Sequence, residues 1–220
     1  MDIERLIVIG GGGHAKVVLD AWSIAGHRPV RIEVRDDDAS RAGDLLEGRP
    51  VLVPAIPSVL ESYRGARSVA GVVGFHVAVG DNVARRALWV RAESLPLCPV
   101  TVVHPHASIA RSAVLEPGCF VAAQAVVGPG AWIGRGAIIN HGAVVDHDCM
   151  VGEFAHVAPM ASLSGAARLG AGSLLGSGAR ILPGIIVGAG AVIGAGAVVT
   201  RPVGDSKTAV GVPASICEER

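Results

Sequence analysis

Residues able to do acid–base chemistry concentrate in one run of this chain, Val145-Asp146-His147-Asp148-Cys149-Met150-Val151-Gly152-Glu153-Phe154-Ala155-His156. An imidazole titrates near neutral pH, so His147 suits a general base for acyl transfer. Asp148, its neighbour, can orient the ring or raise its pKa. A lone surface histidine is usually only solvated. His147 instead keeps company with His141, His156 and the carboxylates of Asp146, Asp148 and Glu153.

A second constellation lies at the other end of the chain. Gly10-x-Gly12-x-x-Ala15 stands between an aliphatic stretch, Leu6–Ile9, and a helically spaced one, His14–Trp22. A glycine turn from strand to helix leaves backbone N–H groups free for a phosphate. Asp36, Asp37 and Asp38 follow at the distance a dinucleotide fingerprint expects. Three readings remain open: a redox dinucleotide, a nucleotide belonging to the substrate, and a tight turn with no ligand. The α/β region is too short for both mononucleotide halves of a full dinucleotide fold, which favours a nucleotide-bearing substrate.

Positioning these groups requires a scaffold, and the C-terminal half announces one. Every sixth residue from Val103 to Val199 is Val, Ile or Leu, without a gap. Glycine often follows it (Gly128, Gly134, Gly152, Gly170, Gly176, Gly188, Gly194), and a small residue stands four places on, as at Ala125, Ala143 and Ala161. Such a hexapeptide repeat forms one flat side of a triangular coil, with the aliphatic residue pointing into the prism. The glycines are expected to permit the turns. Period six contains the strand period of two and excludes the helical 3.6. The expected fold is a left-handed parallel β-helix, the hand being taken from known hexapeptide β-helices against the usual right-handed crossover preference. His147 then points outward. Cys149 takes an inward small-residue place, which argues against a covalent acyl-enzyme.

Before about residue 98 the pattern changes. Strands are expected at Leu6–Ile9, Val30–Val34 and Ser68–Val79, and helices over 14–22 and 83–90. This is a small Rossmann-like α/β domain. Pro96, Pro99 and Pro105 mark the passage between a domain of residues 1–98 and a β-helix of residues 99–220.

Composition narrows the function. The 220 residues are 50% hydrophobic but only 3% aromatic, so the core must be built from small aliphatic side chains. With charged residues at 17%, the 30 glycines read as ordered turns rather than disorder. The formal net charge is zero and no basic run appears, which argues against nucleic acid. The four cysteines form no CxxC pair, so neither a disulfide framework nor a zinc site is expected. Carbonic anhydrases on hexapeptide β-helices hold zinc with two histidines five residues apart on one coil. His104, His106, His141, His147 and His156 contain no such pair, and no metal is expected. The sequence shows neither a signal-peptide pattern nor an apolar run of membrane-spanning length, and a cytoplasmic location is expected.

Four segments together carry a family resemblance: Gly10-Gly11-Gly12-Gly13-His14-Ala15-Lys16-Val17-Val18, the acidic cluster at Asp36, Asn140-x-x-Ala143-x-Val145-x-His147-Asp148-Cys149-x-Val151-Gly152, and Gly211-Val212-Pro213-Ala214. The chain resembles the sugar O/N-acetyltransferases that include bacillosamine-pathway, perosamine and so-called sialic-acid acetyltransferases. The resemblance implies a homotrimer with acetyl-CoA, its co-substrate, bound along the β-helix between two subunits. It implies His147 as base and Asp148 as its orienting partner. His156, Gly165, Ser177 and Ala195 would contact acetyl-CoA, the Gly165 N–H serving as oxyanion donor. Gly12, Gly13, His14, Asp36, Asp37 and Gly80 would hold a nucleotide-linked amino sugar. Some relatives have Glu where this chain has Asp148, which puts the reach of the shorter carboxylate in question. Arg35 stands where Leu is common.

The expected activity is N-acetylation of a nucleotide-linked amino sugar, a 4-amino-4,6-dideoxy sugar being favoured by the resemblance. The alternative is O-acetylation of sialic acid or a related sugar, which would lean harder on the base. A third reading is a non-catalytic scaffold or nucleotide-sensing module, which would not bind CoA.

Overall fold

A computed structural model describes residues 3–26, 30–54, 56 and 72–217. The chain forms two compact units that divide between Val102 and Val103.

The first unit is a small α/β sandwich. In chain order it comprises β1 (Ile3–Ile9), α1 (Gly13–Ile24), β2 (Arg31–Arg35), a 3-10 turn (Ala39–Arg41), β3 (Leu45–Leu46), β4 (Arg49–Leu52), β5 (Val72–Val77), α2 (Asn82–Glu93) and β6 (Cys98–Pro99). The strand order is β3-β4-β2-β1-β5-β6. Every pairing is parallel except that of β3 with β4. Leu6, Ile7, Val8 and Ile9 are all buried, as a parallel strand covered on both faces requires. β1 lies between β2 and β5, so connections leave its neighbourhood in opposite directions. The crevice beyond its carboxyl end is where open α/β sheets bind ligands.

The elements largely match the sequence pattern. The third strand begins at Val72 among the described residues, and residues 68–71 of its expected span lie outside them. α2 runs further at both ends than its apolar spacing suggested; Asp81 caps its start, accepting the Ala84 N–H at 2.8 Å. The β3–β4 hairpin was not expected. Each strand buries a single side chain, Leu46 or Val51, too little for an alternating pattern to show.

The second unit is a three-sided parallel β-solenoid. Two-residue strands recur at every hexapeptide, and each pairs with the strand three hexapeptides on, as Val127 with Val145 and Val145 with Leu163. One face carries Ile138–Ile139, His156–Val157 and Leu174–Leu175; a second, Val144–Val145, Ser162–Leu163 and Arg180–Ile181; a third, Met150–Val151 and Arg168–Leu169. From Val121 to Val199 every sixth aliphatic residue is at most 2% exposed, stacked in one continuous core with the small residues of the corners. The low aromatic content follows: three faces leave room only for layers of small side chains.

The glycines after the aliphatic residue do not make the turns. None has positive φ. A Cβ on Gly134 would lie 2.6 Å from the backbone nitrogen of Glu153, one coil away. These glycines permit coils to stack closely. The left-handed turn falls two residues later, at Gly130, Gly136, Gly142, Gly172 and Gly178. Four consecutive coil corners place non-glycine residues there: Asp148 (φ 57°), Phe154 (φ 54°), Met160 (φ 60°) and Ala166 (φ 57°). Each costs about 1–2 kcal/mol relative to a right-handed residue; Asp148 and Phe154 lie within the run that carries the candidate chemistry, and Met160 and Ala166 follow it.

Candidate active site

His147 stands on the edge between the second and third faces, with its side chain 58% exposed. Its backbone N–H donates to Asp146 Oδ1 at 2.7 Å. Its Nδ1 lies 3.0 Å from Asp148 Oδ2, so the shorter carboxylate does reach the ring. A carboxylate only accepts, so Nδ1 carries the hydrogen and Nε2 is left as the acceptor of the neutral ring. The hydrogen bond that His147 donates to Asp148, then the charge of Asp146, raises the histidine pKa above its ordinary value. The left-handed conformation of Asp148 is one that Asp tolerates better than most residues.

One coil on, Gly165 lies directly beneath the imidazole. A Cβ there would run into Nε2 and Cε1 of His147. The flanking backbone is committed to the coil-to-coil ladder: Ser164 N–H bonds Ile181 O at 3.0 Å, and Ala166 N–H bonds His147 O at 2.9 Å. The Gly165 N–H between them takes no part in that ladder, leaving a donor beside a proton acceptor. The N–H groups of Ser177 and Ala195 are likewise outside the ladder, and both residues are exposed.

His156 sits on the first face between Ile138 and Leu174. Its Nε2 is 3.1 Å from Asn140 Nδ2, and Asn140 Oδ1 accepts the His141 N–H at 2.8 Å. Asn140, Ser177 and Ala195 lie on the edge between the first and second faces, next to His156. A single solenoid therefore gathers His147, Asp148 and Gly165 on one edge. His156 on the first face and Ser177 and Ala195 at its edge with the second lie apart from them, with the second face between. Cys149 is buried, and its thiol donates to Ser164 O at 3.1 Å. Burial pushes its pKa up, so it supplies no thiolate. Among the described residues no cluster of three His, Cys, Asp or Glu could hold a metal ion. No helix among them is long and apolar enough to cross a membrane.

In the first unit the glycine loop leaves the carboxyl end of β1. Gly10 adopts φ 116°, and a Cβ there would meet Ala78 O at 2.7 Å. Gly12 and Gly13 face open space. Gly12 caps α1 without a side-chain hydrogen bond, and no acidic residue occupies the first turn, where His14 lies half-buried. This end of α1 favours an anion. The Asp36 carboxylate is already engaged by the N–H groups of Gly11 at 2.5 Å and Asp38 at 2.8 Å, so it braces the loop. Asp37 is paired with Arg91 at 2.6 Å. Gly80 is held through its carbonyl by the buried guanidinium of Arg85 at 3.0 Å. The sequence reading missed Arg41, whose NH1 donates to Gly11 O at 3.2 Å. Only the 3-10 turn that Asp38 initiates carries it back to the loop.

Residues 5–92 match the PglD N-terminal domain family, and residues 166–201 the bacterial transferase hexapeptide family. The acetyltransferase domain of PglB from Neisseria gonorrhoeae FA1090, solved with acetyl coenzyme A, is 35% identical over 98% of this chain and 100% of its own, with a TM-score of 0.88. The chain belongs to the PglD-like hexapeptide-repeat acetyltransferases. Another member, a variant of perosamine N-acetyltransferase from Caulobacter crescentus in complex with CoA and GDP-perosamine, is 36% identical over 99% of both chains, with a TM-score of 0.87. WeeI from Acinetobacter baumannii AYE is 26% identical over 97% of this chain and 99% of its own, with a TM-score of 0.77. A search by sequence among curated proteins returned no match. Membership makes the chain an acyltransferase and fixes its architecture, a PglD-type α/β unit followed by hexapeptide coils.

Proposed function

We propose that this acetyltransferase moves the acetyl group of acetyl-CoA to the amine of a nucleotide-linked sugar, with a 4-amino-4,6-dideoxy sugar as acceptor. The observation that carries the reading is the His147–Asp148 pair stacked over Gly165, whose N–H lies outside the coil ladder.

The amine attacks the thioester carbonyl directly. Gly165 N–H donates to the oxygen as it becomes an oxyanion. His147 Nε2 accepts the proton that the nitrogen sheds, while Asp148 holds Nδ1–H and stabilises the imidazolium. The tetrahedral species collapses as the C–S bond breaks, and the CoA thiolate takes the proton held by His147, returning the imidazole to its neutral form. No acyl-enzyme forms, in keeping with a Cys149 thiol held protonated. His156, Ser177 and Ala195 contact acetyl-CoA from a different edge. That separation supports a homotrimer, in which one subunit presents His147 and its neighbour presents His156. The open helix end at Gly12, Gly13 and His14 receives the diphosphate, with Asp36, Asp37 and Gly80 shaping the loop. The reaction is read as cytoplasmic.

The test is thiol release from acetyl-CoA against GDP-, UDP- and dTDP-linked amino sugars, with free sialic acid for comparison. Turnover on one nucleotide-sugar is expected, GDP-perosamine being one candidate. His147→Asn should lower kcat far more than it raises KM for acetyl-CoA. Turnover on sialic acid alone would move the activity to O-acetylation and leave the glycine loop without its ligand.

A further inference from the structure

Two hydrogen bonds of Asn140 fix more than its own position. Its Oδ1 accepts the backbone N–H of His141 at 2.8 Å. A backbone N–H can only donate, so the oxygen end of the amide must face it. The other end is then the NH2 group, and it lies 3.1 Å from His156 Nε2. An amide NH2 can only donate as well, so Nε2 must be the acceptor. A histidine whose Nε2 accepts is neutral and carries its single ring hydrogen on Nδ1. We infer that Asn140 is a positioning residue that holds His156 as the neutral Nδ1–H imidazole.

The same place in the next hexapeptide shows why an amide matters here. Asp146 follows its aliphatic residue as Asn140 does, and it also accepts the next backbone N–H, that of His147, at 2.7 Å. Either side chain satisfies that N–H. Only the amide has hydrogens left to give to a second partner. A carboxylate at 140 would accept from His156 and draw a proton onto Nε2. The two histidines are thereby set up for different work: His147 is surrounded by carboxylates that favour its protonation, while His156 is met by a donor. Above and below His156 on its face stand the aliphatic side chains of Ile138 and Leu174, which offer it no charge.

If acetyl-CoA lies against His156, Asn140 decides which ring nitrogen bears a hydrogen there. That consequence rests on the proposed function; the tautomer itself does not.

The test uses the full chain labelled with 15N-histidine at one neutral pH, with the His156 signals assigned by their loss in His156→Gln. Wild type should show a protonated Nδ1 and an unprotonated Nε2. In Asn140→Ala the hydrogen should pass to Nε2. In Asn140→Asp, which keeps the bond to His141 N–H, Nε2 should become protonated. KM for acetyl-CoA should rise roughly 2- to 10-fold in Asn140→Ala, the worth of one hydrogen bond, with kcat little changed. A wild-type His156 protonated on Nε2, or signals unmoved in both variants, would overturn the inference. Signals that move while KM stays constant would uphold the tautomer and overturn the contact with acetyl-CoA.

Discussion

Replacing Gly165 by alanine tests the site without removing any proposed group. The added methyl would lie 2.6 Å from His147 Cε1 and closer still to Nε2. Non-bonded carbons are comfortable near roughly 3.5–4.0 Å, so the ring must retreat by about 1 Å or turn on its stem. Either movement strains the 3.0 Å bond to Asp148 and shifts Nε2 from its place over Gly165. A displacement of about 1 Å at a reacting group costs roughly 100-fold. Gly165 does not have positive φ, and the ring it meets is largely exposed, so folding should be almost unaffected. The assay is thiol release with saturating acetyl-CoA, beside thermal unfolding as control. kcat should fall about 100-fold, with Tm within a few degrees of wild type. In a His147→Ala background the same substitution has nothing to displace, so the loss should nearly vanish. An equal fold-loss in both backgrounds would refute the reasoning, because the methyl would then be acting on something other than His147.

Further expectations follow from single features. Asp148 is the first cause of the raised His147 pKa, so Asp148→Asn should carry the acidic limb of the kcat/KM profile to lower pH while lowering its plateau. An unmoved limb would detach His147 from that limb. Ala166 sits exposed at φ 57°, and Ala166→Gly should raise unfolding stability by about 1 kcal/mol, read by denaturant midpoint. Gly172→Ala, at φ 68° with open space around it, should lower it by about the same amount. His76 is buried and its pKa is pushed down to about 4 by desolvation. The unfolded chain takes up the proton first, so stability is full above about pH 6.5 and falls as the pH drops toward 4, by about 3 kcal/mol in all. His76→Gln should lack that slope in urea titrations.

The solenoid was legible because its determinant is a period, and a period survives without knowledge of contacts. The reason for its glycines was not, because a turn residue and a stacking residue look alike in one dimension. Only the backbone shows that Gly134 makes room for the next coil while Gly136 makes the corner. The His147–Asp148 pair was visible as neighbours. That it rides over Gly165 follows from stepping three hexapeptides on from position 147, a step the repeat permits. The same step from Asn140 reaches Ala158, two places from His156, so that contact too was within reach of the sequence. That Asp36, expected to hold the nucleotide-sugar, also braces Gly11 was not legible, because short acidic side chains bind nearby N–H groups as readily as they bind a sugar. Arg41 left no sequence signal: the 3-10 turn that returns it to Gly11 has no period to read.

The repeat also sets the unit in which this protein can change length. Each strand bonds the one three hexapeptides away, so removing or adding one whole coil beyond the site restores every hydrogen bond and leaves all three faces in phase. Inserting a single hexapeptide would instead carry every later side chain round to the next face, separating Gly165 from His147 if it fell between them. A shift of a single position would turn the aliphatic column outward. Length variation in such a chain is therefore quantised, and relatives that differ in their number of coils can share one catalytic arrangement. The His147 edge itself does not depend on how many coils follow Val187, whereas the proposed acetyl-CoA edge needs the coil that carries Ala195.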